Sequence, residues 1–530
     1  MKTSCSMKTL GLSLTSLCLL GGSLAAVEEK SATRPNILFF IGDDWGRNAS
    51  CYRDPDRPSV NDVIETPNMD RVAREGVLFS NAFMGVSSCA PSRASMATGC
   101  YFWRCGKYAF LQPDPGWAAN HIPDPGDALP RFGPLLQQTG YAASVAGKTL
   151  RLSVSPMKPL ELGCDTLRFG LYAQKNHLTR DETAKDFEQA VREVMQKVLA
   201  GRKPGQPFVH AFGPIGTHRP FFKGSGRNLW GIDPDALKGK LPAFIPDVPE
   251  AREDYADTLG EVLVLDLEVG WILDELEKAG EADNTMIVLT GDNGVNMPRG
   301  KTHCYDLAVR APLMVRWPAG IAKPGRVVDD FVGQIDLAPT WLEAAGITPP
   351  AAMDGRSLLP LLQSAKSGVI DPARDHVVVG RERHEADTRP DYMPYPMRAI
   401  RTVDFLYIRN FKPDRWPSGD PYDDIGPKGD PHSQGGGTVA WLVEHRDDPP
   451  VKPLYDLIYG KRPPEELYDL KNDPDQVRNV ADVAAYSDAK SDLSERLMKV
   501  LRDTRDPRLD DAFDRPPYVD PANVGHATRQ

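Results

Sequence analysis

Two short apolar runs, one near the N-terminus and one in the middle of the chain, predict buried strands. Residues 36–41 (Asn-Ile-Leu-Phe-Phe-Ile) end at Gly42, and residues 285–290 (Thr-Met-Ile-Val-Leu-Thr) end at Gly291. Alternation between apolar and polar positions is weak in both runs, which is typical of parallel strands covered on both faces. We therefore expect both runs to lie in the interior of one parallel sheet.

Between the two runs, apolar residues recur at the spacing of helices. Apolar positions three and four residues apart predict helices over residues 181–199 and 254–279. Strands that alternate with helices indicate an α/β fold, in which helices cover both faces of a sheet. The larger part of the chain is therefore expected to be an α/β domain built on a mostly parallel sheet.

The pattern changes after Leu361 and Leu362. Short apolar runs at residues 377–379 and 405–408 are separated by loops rich in proline, glycine and aspartate, and a last helical pattern covers about residues 485–502. This change predicts a smaller C-terminal domain with an antiparallel sheet and one helix. A length of 530 residues, too great for one ordinary core, agrees with two domains.

The N-terminus has the pattern of an export signal. Lys2 and Lys8 accompany an apolar stretch too short to span a bilayer, and small residues suited to cleavage follow it. No later segment is long and apolar enough to cross a membrane, so we expect a secreted or periplasmic protein. The expected boundaries are a signal peptide at 1–25, the larger domain at 33–370, the smaller domain at 371–505 and a polar tail at 506–530.

The charge of the chain limits its partners. A net charge of -10, with 41% hydrophobic and 26% charged residues, excludes nucleic acid or an anionic membrane surface as the main partner. An anionic substrate stays open, because a metal ion and a few cations can reverse the field inside one pocket.

Six cysteines lie outside the leader, and their spacing is not that of a zinc site. Cys100 and Cys105 either form a disulfide after export or stay buried free thiols like most of the others. The six are Cys51, Cys89, Cys100, Cys105, Cys164 and Cys304.

Polar residues follow both predicted strands. Asp43-Asp44 comes after the first run and Asp292-Asn293 after the second. Either pair alone is also common in turns and helix caps. Because active sites of α/β sheets gather at the carboxyl ends of strands, the two pairs together indicate a site. Four oxygen donors favour a hard divalent cation, calcium or magnesium, over zinc or copper.

The segment around Cys89 predicts a helix whose N-terminus lies near this residue. Pro91 suits the first helical turn and Gly99 suits the end, which places Cys89 near a helix N-terminus, where an anion is favoured. Arg93 follows one turn later, where its side chain is placed to hold an anion.

Residues 86–99 (Val-Ser-Ser-Cys-Ala-Pro-Ser-Arg-Ala-Ser-Met-Ala-Thr-Gly) resemble the signature of the type I sulfatases, a family of the alkaline phosphatase superfamily. The resemblance implies an alkaline-phosphatase-like sandwich and oxidation of Cys89 to formylglycine by a formylglycine-generating or anaerobic sulfatase-maturing enzyme. The formylglycine hydrate would attack sulfur, with calcium, rather than magnesium, as the bound cation. The metal ligands that it implies are Asp43, Asp44, Cys89, Asp292 and Asn293.

Further matches imply residues that bind sulfate. Gly147-Lys148 and Gly300-Lys301 resemble the two Gly-Lys turns of the family, whose lysines contact sulfate, and Arg93 would hold the modified side chain or sulfate oxygens. His218 resembles the histidine that acts as the acid toward the leaving group or binds sulfate. Leu150 and Ile215 stand where the family often has histidine, so His218 is the first candidate for the general acid and His303 the second.

The nearest resemblance within the family is to the heparan N-sulfatases and their bacterial relatives, through residues 86–89 and 93–95. The charged segment Arg381-Glu382-Arg383-His384 is expected to read a sulfated or carboxylated sugar, or else to be a solvated loop. The resemblance implies a carbohydrate sulfatase, with O-sulfate and N-sulfate both open. The substrate-binding candidates are Arg381, Arg383, His384 and His303.

Two other functions are weighed against a sulfatase. A phosphatase or phosphodiesterase of the same superfamily usually has serine or threonine in place of Cys89. A catalytically silent protein that binds sulfated glycans would have lost ligand positions, and here they are present. Asn48 is the only N-glycosylation acceptor after the leader, which favours a bacterial source over a lysosomal one.

Overall fold

An eight-stranded, mostly parallel sheet forms the larger part of the protein, in the order β5-β4-β6-β1-β7-β8-β2-β9. β1 lies in the middle and pairs in parallel with β6 and β7, while β8 runs antiparallel to both of its neighbours. The first ten strands of the chain are β1 (Asn36–Gly42), β2 (Val77–Phe79), β3 (Ala82–Phe83), β4 (Ala142–Gly147), β5 (Lys158–Leu160), β6 (Phe208–Gly213), β7 (Thr285–Gly291), β8 (Leu313–Arg316), β9 (Arg326–Val328) and β10 (Val332–Gly333). β3 and β10 form a separate parallel pair.

The computed structural model describes residues 34–110, 121–122, 128–148, 157–163, 168–384, 388–389, 393–422 and 436–521. The predicted signal peptide lies outside the described residues. Residues from Arg34 onward belong to one compact unit. No helix within the described ranges has the length and apolar content needed to cross a bilayer.

Both faces of the large sheet are covered, as the weak alternation in β1 predicts. Ile37 and Phe39 belong to one buried cluster together with Trp341. Leu38 and Phe40 point to the opposite face and belong to a second buried cluster, which the long helix Pro249–Lys278 dominates. Successive side chains of a strand alternate between faces, so this strand supplies apolar groups to two cores.

The predicted helices are confirmed with small shifts of their ends. The pattern over 181–199 corresponds to Arg180–Ala200, where Thr179 and Glu182 form a capping box, and the pattern over 254–279 corresponds to Pro249–Lys278. The helices are α1 (Pro67–Arg74), α2 (Cys89–Thr98), α3 (Phe132–Gln138), α4 (Phe169–Asn176), α5 (Arg180–Ala200), α6 (Ser225–Trp230), α7 (Pro249–Lys278), α8 (Asp306–Val309), α9 (Leu337–Ala344), α10 (Leu359–Gln363), α11 (Gly437–Glu444), α12 (Lys452–Tyr459) and α13 (Ser487–Asp503).

A separate four-stranded antiparallel sheet follows, as predicted, in the order β11-β12-β13-β14. Leu493, Leu497 and Leu501 repeat every fourth residue along α13 and are buried in the same cluster as Ile400 and Tyr407 of this sheet. Its strands are β11 (His376–Arg381), β12 (Met397–Thr402), β13 (Phe405–Asn410) and β14 (Glu465–Asp469).

The polar segment after α13 is packed against the rest of the protein as far as residue 521. Phe513 and Val519 are fully buried. Arg508 is buried as well and pairs with Glu382 at 2.6 Å and with Asp514 at 2.9 Å. A charge that looks solvated in the sequence is therefore buried and paired, in part with a residue from a distant segment.

Cys100 and Cys105 are both buried free thiols, like Cys89 and Cys304, and Cys51 is a half-buried free thiol. Hydrogen-bonding neighbours of Cys105 include Thr98 Oγ1, 3.8 Å from its Sγ. Of the two alternatives for this pair, the structure has the free thiols. Cys164 lies outside the described residues.

Candidate active site

The ends of β1 and β7 bring polar residues together. The strands pair with Gly42 opposite Gly291, so the residues that follow them emerge side by side. The backbone N–H of Asp44 donates to Asp292 Oδ1 at 3.1 Å, and Asn293 Nδ2 donates to Asp44 Oδ1 at 2.7 Å. Asp44 has a φ of +58°, a left-handed conformation that turns the chain. The two strand ends form one acidic cluster.

Cys89 lies at a helix N-terminus, as predicted, and is the first residue of α2, which ends at Gly99 with a φ of 66°. Cys89 is 2% exposed, and its Sγ lies 3.9 Å from Asp44 Oδ1. Burial raises the pKa of the Cys89 thiol. Because the thiolate is the reactive form, the unmodified side chain is a poor nucleophile here.

Two lysines neutralise the carboxylates that follow β1. Lys148, at the end of β4, donates from Nζ to both carboxylate oxygens of Asp43 at 2.7 Å. Lys301 is buried and donates from Nζ to Asp44 Oδ2 at 3.0 Å. Both predicted sulfate-binding lysines therefore lie at the cluster, each beside a different carboxylate.

Arg93 ties the helix of Cys89 to the ends of the strands. Its guanidinium is fully buried and donates from Nε to Asp292 Oδ2 at 2.7 Å. A second nitrogen lies 3.4 Å from Asp43 Oδ1, and a third donates to the carbonyl of Lys148 at 2.5 Å. Arg93 therefore fixes three segments relative to Cys89.

The pKa values of Asp43 and Asp292 are shifted in opposite directions. Burial would raise the pKa of Asp43, but Lys148 and Arg93 outweigh it and hold this pKa well below its usual range. Burial also raises the pKa of Asp292, and the negative charge of Asp43 adds to the rise although Arg93 opposes it. The raised pKa of Asp292 thus reflects its burial beside a second carboxylate.

The donor set fits one divalent cation. The buried oxygen and sulfur atoms of the group all lie within 4.8 Å of one another; the group comprises Asp43, Asp44, Cys89 and Asp292. Asn293 Oδ1 is buried and, among the described residues, has no hydrogen-bond partner. An orphaned acceptor beside crowded carboxylates is the arrangement that a hard cation satisfies.

His218 is the histidine that the structure places at the cluster. Its Nε2 lies 3.5 Å from Lys301 Nζ and 4.0 Å from Asp44 Oδ2. The neighbouring Thr217 donates from Oγ1 to the carbonyl of Asp43 at 2.5 Å, so the motif is anchored to the strand end. Leu150, which occupies one of the two positions where the family often has histidine, lies outside the described residues.

Arg168 is a residue of this site that the sequence did not indicate. It donates from Nε to the carbonyl of His218 at 2.6 Å, and another of its nitrogens lies 3.1 Å from His218 Nδ1. These contacts orient the imidazole ring. No motif marks Arg168, because a contact across 50 residues depends on how the loops pack.

His303 lies two residues beyond Lys301 and is buried. Its ring packs against Tyr305, with the ring centroids 5.8 Å apart. The backbone N–H of its neighbour Thr302 donates to Ser87. His303 therefore lies on a segment that borders the residues directly before Cys89.

The segment Arg381-Glu382-Arg383-His384 is buried rather than a solvated loop. His384 Nδ1 lies 2.7 Å from the hydroxyl of Ser88, the residue before Cys89. Arg381 donates to the carbonyl of Pro417 at 2.8 Å, and Arg383 lies over the ring of Phe110 at 5.0 Å. Of these candidates, His384 is the one that the structure links directly to the helix of Cys89.

Glu382, within the same segment, is occupied by structural ion pairs. Its carboxylate accepts from Arg398 at 2.7 Å and from Arg508 at 2.6 Å, and all three side chains are fully buried. Asp506 also accepts from Arg398, at 2.6 Å. This network joins the smaller sheet to the segment after α13.

Comparison with known proteins agrees with this geometry. Residues 35–347 match the family model described as Sulfatase. Human N-sulphoglucosamine sulphohydrolase is 28% identical over 508 residues, covering 89% of this chain and 91% of the relative. The N-acetylglucosamine-6-O-sulfatase of Bacteroides thetaiotaomicron is 24% identical over 587 residues, covering 94% and 91%. A protein solved with its substrate D-glucosamine-2-N,6-O-disulfate has a TM-score of 0.59 at 21% identity, covering 89% of this chain and 98% of that one.

The two sheets, with the polar cluster at the ends of β1 and β7, form the alkaline-phosphatase-like fold. The chain belongs to the sulfatase family, whose model spans more than half of it. It is therefore an enzyme of the sulfuric ester hydrolase class.

Proposed function

We propose that this protein removes sulfate from a sulfated carbohydrate with a formylglycine made from Cys89 and a bound calcium ion. One observation carries the proposal. Cys89 starts a buried helix with its Sγ 3.9 Å from Asp44, in a cluster that also holds Asp43 and Asp292. A thiol with a raised pKa is a poor nucleophile beside these carboxylates. An oxidised side chain that binds a cation would instead complete a metal site with them.

The residues of the chain then have distinct tasks. The formylglycine hydrate would supply a hydroxyl nucleophile toward sulfur, and the calcium ion would polarise the sulfate group. Lys148 and Lys301 would contact sulfate oxygens and stabilise their developing charge, while Arg93 holds residue 89 against the strand ends. The metal ligands would be Asp43, Asp44, Asp292, Asn293 and the modified Cys89.

His218 is our candidate for the acid that protonates the leaving group. His218→Ala is expected to lower kcat by about 10²- to 10⁴-fold, the usual contribution of general acid catalysis. The loss should shrink with an activated aryl sulfate, because a good leaving group needs no proton. His303→Ala is the matched control and should lower kcat much less. Equal losses in both variants, or a His218→Ala loss independent of the leaving group, would reject this assignment.

Removal of calcium is expected to abolish activity and to destabilise the fold. Chelation leaves the like charges of Asp43, Asp44 and Asp292 facing one another. At a calcium concentration of about 100 times Kd, rebinding should stabilise the folded state by about 2.7 kcal/mol. Thermal unfolding and sulfate release are measured after chelation and again after addition of calcium, magnesium or zinc. Full activity in the chelated protein, or restoration by zinc alone, would contradict a hard-cation site.

The substrate class is proposed from the relatives, which include enzymes named for sulfated glucosamine units. Buried basic residues of the smaller sheet, with His384 linked to Ser88, support a pocket for a sulfated or carboxylated sugar. The test is sulfate release from sulfated monosaccharides and disaccharides that differ in O-sulfate and N-sulfate positions. The enzyme is co-expressed with a formylglycine-generating or anaerobic sulfatase-maturing enzyme. If protein shown to contain formylglycine releases sulfate from none of these sugars, the carbohydrate assignment is rejected.

We further propose that the protein is exported and bacterial, which its similarity to sulfatases from Formosa agariphila and Bacteroides thetaiotaomicron supports. The basic and apolar pattern of the N-terminus also supports export. Fractionation of cells that express the full chain, together with N-terminal sequencing of the mature protein, tests this assignment.

A further inference from the structure

A second cavity, of about 590 Å³, lies apart from the acidic cluster. Loops, helices α7 and α8 and the strand β12 of the smaller sheet line it, and the cluster and the residues around Cys89 do not contribute to its described lining. The contributing residues lie in the ranges 47–61, 239–244, 306–310, 401–403 and 470–476, together with Tyr255.

The lining of this cavity is basic although the whole chain is acidic. Among the described residues, five basic and three acidic side chains line it. Two of the acids are already paired at the cavity. Asp475 pairs with Arg57 at 2.6 Å, and Asp306 accepts from Arg401 through both carboxylate oxygens at 2.9 Å. The remaining basic residues are Arg47, Lys240 and Arg310, against Asp54.

Arg47 carries the least compensated of these charges. Its guanidinium lies over the ring of Tyr52 at 4.2 Å, and its Nε is buried with no hydrogen-bond partner in the described part of the chain. The negative charge of Asp306 favours the charged form of Arg47, but among the described residues no carboxylate forms an ion pair with it. A buried donor of this kind indicates an absent acceptor.

Arg310 is held in place beside Arg47. It donates to the carbonyl of Ser80 at 2.9 Å, while its distance to Asp306 is 4.0 Å. Burial, with the positive charge of Arg47 added to it, lowers the pKa of Arg310 to about 9. Two guanidiniums that repel each other at fixed positions would both be stabilised by a bound anion.

Unsatisfied amides complete the cavity. Gln476 is 2% exposed, its Oε1 accepts from the backbone N–H of Asp306, and its Nε2 has no hydrogen-bond partner among the described residues. Asn61 Oδ1 is also buried and has no hydrogen-bond partner among the described residues. Tyr52, Phe244 and Tyr255 supply aromatic surface. Donors for an oxyanion, an acceptor for a hydroxyl and aromatic rings together suit a charged sugar.

We propose that this cavity is a second, non-catalytic binding site for an oxyanion, the sulfate or carboxylate group of a saccharide. The anion accepts hydrogen bonds from Arg47 and Gln476, and the sugar ring lies against the aromatic side chains. Because only residues of the cavity form this site, it is independent of the proposed reaction. Free inorganic sulfate offers the same oxyanion without the ring.

Titration calorimetry on the full chain tests the site. A Cys89→Ala background prevents turnover, and the probes are inorganic sulfate, glucose 6-sulfate and glucuronic acid. Two binding processes are expected. Arg47→Gln should weaken one of them by about tenfold or more, since it removes a charge-assisted hydrogen bond. Arg180→Gln, which changes an exposed arginine at the start of α5, is the control and should leave both unchanged.

The probes separate the two sources of the anion. Tighter binding of the sugars than of inorganic sulfate supports a saccharide site, and equal binding by all three probes overturns that part of the proposal. If Arg47→Gln does not fold, Lys240→Gln at the same cavity takes its place, with a smaller loss expected. A binding process, single or not, that the cavity variant leaves unchanged, so that its isotherms match those of Arg180→Gln, overturns the site.

Discussion

Cys89→Ser is expected to abolish sulfate release, with a loss on the order of 10⁴-fold or more in kcat, as for removal of a catalytic nucleophile. The reason is chemical. A serine hydroxyl is a single group, whereas the hydrate of a formylglycine has two hydroxyls, one to attack and one to let the sulfate leave. The measurement is sulfate release from the preferred sugar, with peptide mass spectrometry to establish the identity of residue 89 in each preparation.

Cys51→Ser is the matched control for this experiment, because Cys51 is a half-buried free thiol away from the acidic cluster. It should keep sulfatase activity. Native enzyme that is fully active while residue 89 is still an unmodified thiol would disprove the formylglycine proposal. Phosphodiester hydrolysis that survives Cys89→Ser would favour the phosphodiesterase alternative.

Glu382→Gln is expected to destabilise the protein by about 3 kcal/mol or more, the usual cost of removing one member of a buried ion pair. Glu382 is fully buried between Arg398 and Arg508, and its loss leaves two guanidiniums without their shared carboxylate. The free energy of unfolding is measured by urea denaturation.

Glu65→Gln provides the comparison for this stability effect. Glu65 also pairs with an arginine, at 2.6 Å, but its side chain is 76% exposed. Loss of an exposed pair costs about 1 kcal/mol or less. Equal effects of the two substitutions would show that the network around Glu382 does not stabilise the fold.

The metal-type residues were predictable because each feature involved is local. An apolar run that ends at glycine and is followed by Asp-Asp or Asp-Asn identifies a buried strand and the polar residues at its end. Parallel pairing of β1 with β7 then brings these residues together, as expected. The helix of Cys89 was equally local, since Pro91 and Gly99 mark its start and end.

Contacts between distant segments were not predictable in the same way. Arg168 reaches His218 only because the loops that hold them pack together, and nothing in its immediate sequence indicates this. Arg508 belongs to a stretch whose composition predicts a polar tail, yet its partner Glu382 lies 126 residues earlier. A charged stretch of sequence does not by itself indicate exposure, because residues from distant segments can pair with its charges and bury them.

The burial of Cys89 limits the time during which a modifying enzyme could reach its side chain. A modifying enzyme needs access to the side chain, and in the folded protein Cys89 is 2% exposed at the start of a packed helix. Its final surroundings include Asp292, which is synthesised roughly 200 residues later, or about 10–40 s at 5–20 residues per second. The proposed oxidation of Cys89 would therefore compete with folding, and substitutions that speed the closure of the sheet would yield well-folded protein with less formylglycine.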